Sequence, residues 1–138
     1  MSDYFDLGTY SRPASAEPEA QKWFDRGLVW LFAYNHEEAV VCFERALEAD
    51  PACALAHWGI AYALGPNYNK PWEVFTPEEK EPALNRAHVA LKAGLALTSA
   101  KPAERALIEA LASRYPTDPE IEDYQPFNDG FAAAIKPV

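Results

Sequence analysis

A chain of 138 residues, 49% apolar and 24% charged, has ordinary globular usage and is long enough for one domain to bury about two thirds of its unfolded surface. Its formal charge of -9 repels a phosphate backbone, and the basic residues are scattered rather than clustered, which argues against nucleic acid as a partner. No run of ~18 apolar residues occurs and the amino terminus MSDYFDLGTY is acidic, which argues against a signal peptide, a transmembrane helix and a membrane partner.

Residues 1–19 read as an extended segment carrying the apolar side chains Tyr4, Phe5, Leu7 and Tyr10. From Ala20 to Pro51 the spacing becomes helical. Trp23, Gly27, Trp30 and Ala33 share one side of a first helix, and Ala39, Phe43, Ala46 and Leu47 one side of a second. Asn35 is placed to cap the second helix, with Glu38 reaching back in a capping box, and Asp50-Pro51 stops it. Gly27 and Ala39 let the two backbones approach closely.

A second unit starts on schedule as ACALAHWGIAYALG, and residues 65–76 then interrupt it. Gly65 and Pro66 end a helix and Pro71 prevents early resumption, until Thr76, Pro77 and two acids start the next one. In that helix Ala87, Leu91 and Gly94 repeat the small-large-small spacing of Ala39, Phe43 and Ala46. AERALIEALASRY predicts a further first helix after Pro102, PTDPEIEDYQP a loop, and FNDGFAAAIKPV a partial last helix. The chain thus divides into the segment 1–19 and a helical domain 20–138, with repeat one at 20–53, repeat two at 54–99 and a partial third at 100–138.

The segment from Ala20 resembles a tetratricopeptide repeat, a helix-turn-helix unit of 34 residues with a fixed ladder of large and small positions. Trp23, Gly27, Trp30, Ala39, Phe43, Ala46 and Pro51 fall on signature positions, and Arg26 departs where an apolar residue is usual. The wording of residues 23–69 and 102–116 is similar to the amino-terminal part of longer bacterial and fungal tetratricopeptide proteins of unassigned activity. That likeness implies an all-α fold of antiparallel helix-turn-helix repeats stacked as a short α-solenoid of about six helices. It also implies that this chain is one end of a longer solenoid, in keeping with its close on an alanine-rich run without a polar capping helix.

The resemblance implies protein-protein interaction as the function, with a protein or peptide partner in a concave groove. The groove positions of the first unit are Gln21, Phe24, Leu28, Leu31 and Phe32. Some tetratricopeptide domains hold a terminal carboxylate with lysine and asparagine at two of these places. Here Phe24 and Leu28 stand there and Gly59 replaces an asparagine in the second unit, which disfavours that mode. The groove then takes a hydrophobic partner, or residues 1–19 fill it. In the insertion, Asn67, Tyr68, Asn69, Trp72 and Phe75 suit either a recognition loop at the rim or a loop folded against the rest of a longer protein. Exposed solenoid ends also allow self-association.

Catalytic chemistry finds little support. His36, His57 and His88 share no helical spacing for a metal, there is no GxSxG elbow, and no acid-base pair stands out. His57 reads as a packing residue, His36 as a solvated turn residue and His88 as a partly exposed helix residue. No catalytic residue, metal ligand or cofactor is assigned. Cys42 and Cys53 make no CxxC and have no basic sequence neighbour, so they read as small apolar residues in a reduced, cytoplasmic setting. The alternative from another class is an enzyme or metal-binding protein whose chemistry lies mostly outside this segment, with His36, His57 and the insertion contributing to a cavity.

Overall fold

The structure, a computed structural model, describes residues 13–66, 70–117 and 124–136. Every regular element among them is helical: α1 (Pro18–Phe32), α2 (His36–Ala49), α3 (Ala54–Leu64), a 3-10 turn (Trp72–Val74), α4 (Pro77–Ala96), α5 (Pro102–Ala112) and α6 (Gln125–Ile135). Consecutive helices from α1 to α4 pack on one another, α5 lies against both α3 and α4, and α6 lies against α5. Stacking of this kind, each pair on the one before it, is a short helical-repeat array. Among the described residues no helix is long and apolar enough to cross a membrane.

Local chemistry explains the boundaries. Pro18 sits in the first turn of α1, where a missing N–H costs nothing. The helix closes in a Schellman arrangement, with the Asn35 N–H donating to Trp30 O at 2.9 Å and the Tyr34 N–H to Leu31 O at 3.1 Å. The Asn35 side chain accepts from the Glu38 N–H at 3.3 Å, as expected of the cap. The other half of the expected capping box is not made, because the Asn35 N–H is already committed to Trp30. A full box forms instead at Thr76, whose hydroxyl accepts from the Glu79 N–H at 3.3 Å while the Glu79 carboxylate accepts from the Thr76 N–H at 3.2 Å. Lys70 donates to that same carboxylate at 3.0 Å and, with the Thr76 N–H, holds its pKa below the ordinary range.

The core is built around one ring. Phe43 is fully buried, with Gly27 of α1 against its Cδ1–Cε1 edge and Gly59 of α3 against its Cδ2–Cε2 edge. A Cβ at Gly27 would overlap the ring, and one at Gly59 would sit 2.7 Å from it. The small residue at position 27 therefore admits an aromatic side chain as well as a neighbouring backbone. The departure at Arg26 also has a structural reason. Its guanidinium lies 5.1 Å from the centre of the half-buried Trp23 ring, and that of Arg45 lies 5.7 Å away, so two cations take over the contact an aliphatic side chain would make. In the second unit Ala87 and Leu91 are buried, and Gly94 admits Ile108 of α5 and the Cβ of His57.

The insertion folds inward. Trp72, 1% exposed, packs its ring 5.0 Å from Phe75, 5.6 Å from Tyr115 edge-on and 5.9 Å from Tyr124 in a stack. Lys80 of α4 donates to the Tyr124 hydroxyl and lies over its ring. Trp72 is thus a staple between the insertion and the third unit of this same chain, and the recognition-loop alternative is corrected for it: a tryptophan this apolar gains more from burial than from waiting in water.

Candidate functional site

Helix ends leave carbonyls without partners, and in this chain side chains from other units satisfy several of them. The Tyr115 hydroxyl, fully buried, donates to Ala61 O at 2.6 Å, and its desolvation pushes the phenol pKa far up, so it stays a donor. His36 Nδ1 lies 3.1 Å from Ala63 O, and His88 Nε2 lies 2.9 Å from Pro116 O; each nitrogen carries its proton to make these bonds. Arg105 of α5 donates to Leu95 O and Leu97 O at 3.0 and 3.1 Å, closing the end of α4. His36, expected as a solvated turn residue, is instead a cap for α3.

One of these capping residues, His36, lines a groove of about 500 Å³ to which α1, α3 and α6 all contribute side chains. The end of α1 contributes Leu31 and Phe32, and the turn after it contributes Tyr34 and His36. Trp58 and Tyr62, one helical turn apart on α3, stack at 5.1 Å and 30° along the floor. Phe131 and Ile135 contribute from α6 with the same spacing, and Arg114 from the end of α5. Phe32 and Tyr34 are 60% and 62% exposed, unusual for large rings with a core nearby. Tyr34 moreover occupies the left-handed region at φ 62°, a place that glycine normally takes, and stacks on His36 at 6.5 Å. That conformation belongs to the C′ position of the Schellman closure of α1, and it places the Tyr34 ring at the rim of the groove.

The Arg114 guanidinium lies 5.3 Å from the Phe131 ring centre, and its buried Nε has no hydrogen-bond acceptor among the described residues. No Asp or Glu is among the described residues that line the groove. Comparison with family models, curated proteins and solved structures finds no match for this chain. The site therefore stands on its own geometry.

The five expected groove residues separate. Leu31 and Phe32 do line the groove, although Leu31 is 5% exposed and contributes mainly support. Phe24 and Leu28 are 2% and 4% exposed and belong to the core, Phe24 against Phe43 at 5.6 Å, which corrects their placement as partner-facing. Gln21 lies at the other end of α1, where its Oε1 accepts from the Ala14 and Ser15 N–H groups at 2.8 and 3.0 Å. Ser15 in turn donates to Asp50 at 2.6 Å, so the described part of the segment before α1 closes that end. Tyr4, Phe5, Leu7 and Tyr10 lie outside the described residues, as do Asn67, Tyr68 and Asn69. Phe75 is half-buried with the Lys70 ammonium 4.7 Å from its ring centre.

Among the described residues His36 lines a second groove of about 500 Å³ together with Gly65, Lys70 and Phe75 of the insertion, whereas His57 lines a separate shallow groove of about 370 Å³ between α2 and α4, and desolvation lowers its pKa. Among the described residues no three His, Cys, Asp or Glu side chains are grouped to hold a metal. Cys42 and Cys53 are buried free thiols, and burial pushes both pKa values up to about 11, the opposite of an activated nucleophile. Tyr34, Trp58, Tyr62, Arg114 and Phe131 escape sequence reasoning as a group. The aromatic pair four apart on α3 is the one local signal that points to them.

Proposed function

We propose that this chain is a tetratricopeptide-type protein-interaction module that takes a segment of a protein partner along the α1, α3 and α6 face. The observation that carries this reading is the groove itself: a concave, aromatic-lined surface whose rim residue Tyr34 is held at φ 62° while 62% exposed. Stacked helix pairs expose a concave face of this kind, and exposed rings set among packed ones are the usual anchors of an interface. The position-for-position ladder of Trp23, Gly27, Trp30, Ala39, Phe43 and Ala46 supports the repeat assignment. Two buried, unpaired thiols suit a reducing compartment, and we place the protein in the cytoplasm.

The test is selection of random twelve-residue displayed peptides on the purified protein, with Trp58→Ala and Tyr34→Gly as counter-targets. The expected result is a family of peptides that bind the wild type and lose at least ~10-fold affinity on Trp58→Ala, the effect of an interface hot spot. Tyr34→Gly relieves the left-handed strain, so it is expected to keep or raise the melting temperature while losing affinity. Absence of any enriched sequence, or equal binding to both variants, refutes the reading.

A further inference from the structure

We propose that the groove between α3 and α6 is a binding site for a small aromatic carboxylate, held by Arg114. The proposal goes beyond the peptide reading and does not depend on it. Three observations meet at this place. The first is size: about 500 Å³ lies within the ~300–1,000 Å³ that small-molecule sites occupy. The second is the lining. Trp58 and Tyr62 line the groove as a stacked pair on α3 and Phe131 lines it from α6, so a flat ring bound there meets aromatic side chains of two helices.

The third observation is charge. The chain carries 21 acidic and 12 basic residues, yet among the described residues the groove is lined by Arg114 and by no carboxylate. Arg114 has no ion-pair partner among the described residues, and its Nε is buried with no acceptor. A buried polar atom left without a partner is costly; among the described residues Trp72 Nε1 and Asn128 Oδ1 share that state, and Arg114 Nε is the one that belongs to a residue lining this groove. A guanidinium offers donors in a planar fork that matches a carboxylate, and here the group lies over the Phe131 ring at 5.3 Å. A neutral aromatic ligand would fill the groove but leave that fork unused. A phosphate or a bare inorganic anion would satisfy the fork but leave the rings wet.

The probes are 2-naphthoate and its neutral isostere 2-naphthamide, titrated by calorimetry and by quenching of tryptophan fluorescence. Naphthoate is expected to bind the wild type at least about 5-fold more tightly than naphthamide, the advantage a partly exposed charge-assisted pair supplies. Arg114→Gln is expected to abolish that preference and Arg114→Lys to keep part of it, with melting curves showing that both variants fold. Equal affinity of the two probes for the wild type overturns the proposal without need of any variant, as does failure of naphthoate to bind or unchanged binding by Arg114→Gln. Tighter binding of the blocked dipeptide N-acetyl-Asp-Phe-amide than of naphthoate overturns it too, and assigns the groove to a peptide side chain.

Discussion

Replacing Gly59 by alanine sets two effects of known size against each other. In a helix interior the exchange alone is favourable by about 1 kcal/mol, because glycine has more conformational freedom to lose. At this site the added methyl would sit 2.7 Å from the Phe43 ring, well inside the ~3.5–4.0 Å of ordinary carbon contact. The ring cannot retreat, since Gly27 already abuts its other edge and Phe43 is fully buried. Overpacking of a close-packed core costs ~1–3 kcal/mol, more where the neighbours cannot yield, so we expect a net loss of about 1–2 kcal/mol. Gly130 in α6 is the internal control, because its nearest neighbour would be Ser113 O at 3.8 Å. Gly130→Ala keeps the propensity gain and is expected to stabilise by about 0.5–1 kcal/mol. Urea denaturation followed by circular dichroism measures both, and the double variant Gly59→Ala with Phe43→Leu should recover at least about 1 kcal/mol of the penalty as coupling. A Gly59→Ala protein as stable as the wild type, or one that smaller residues at 43 fail to rescue, would show that the ring is not wedged between the two helices.

Removing the Tyr115 hydroxyl as Tyr115→Phe leaves Ala61 O buried without its donor and is expected to cost ~1–3 kcal/mol in the same assay, while Trp72→Ala, which empties the staple, costs ~3–5 kcal/mol. With both thiol pKa values pushed up to about 11, iodoacetamide at pH 8 should modify Cys42 and Cys53 only as fast as the protein opens; rapid labelling of the folded protein would contradict their burial. His57 has a folded-state pKa below the ordinary 6.5, so the unfolded chain takes up its proton first. Its contribution is then fully present above that value and is lost as pH falls through it. The urea midpoint of wild type should therefore drop more between pH 7.5 and pH 5 than that of His57→Phe, and equal drops would refute the assignment.

The helices were readable because their signals are local. The proline-led starts at Pro18, Pro77 and Pro102 and the caps at Asn35 and Thr76 act within a turn of their own position. The large-small ladder of Trp23, Gly27, Ala39 and Phe43 likewise follows from helical periodicity. The groove was not readable in the same way, since it depends on how units rotate against one another. Periodicity puts Phe24 and Leu28 on the same face as Leu31, but it cannot say how far along α1 the neighbouring helices close over that face. Arg114 gave no signal at all: it lies at the end of a helix like any surface arginine, and only the arrival of Phe131 from α6 makes it part of a site. The histidines illustrate the same limit, because a carbonyl 27 or 28 positions away is invisible to spacing rules.

The final turn of α3 is tied at Ala63 by His36 from the unit before it and at Ala61 by Tyr115 from the unit after it. Arrays of repeats ordinarily fray from their ends, one unit at a time, because each touches only its neighbours through apolar surface. Here the middle unit cannot open without releasing directional bonds on both flanks, which couples melting across the described array into one cooperative block. Amide exchange in α3 should then report the global unfolding energy, while α6, with no fully buried side chain, exchanges first. The proposed ligand would then enter beside the least buried helix of the array, while the tied centre keeps the α3 side of the groove in place.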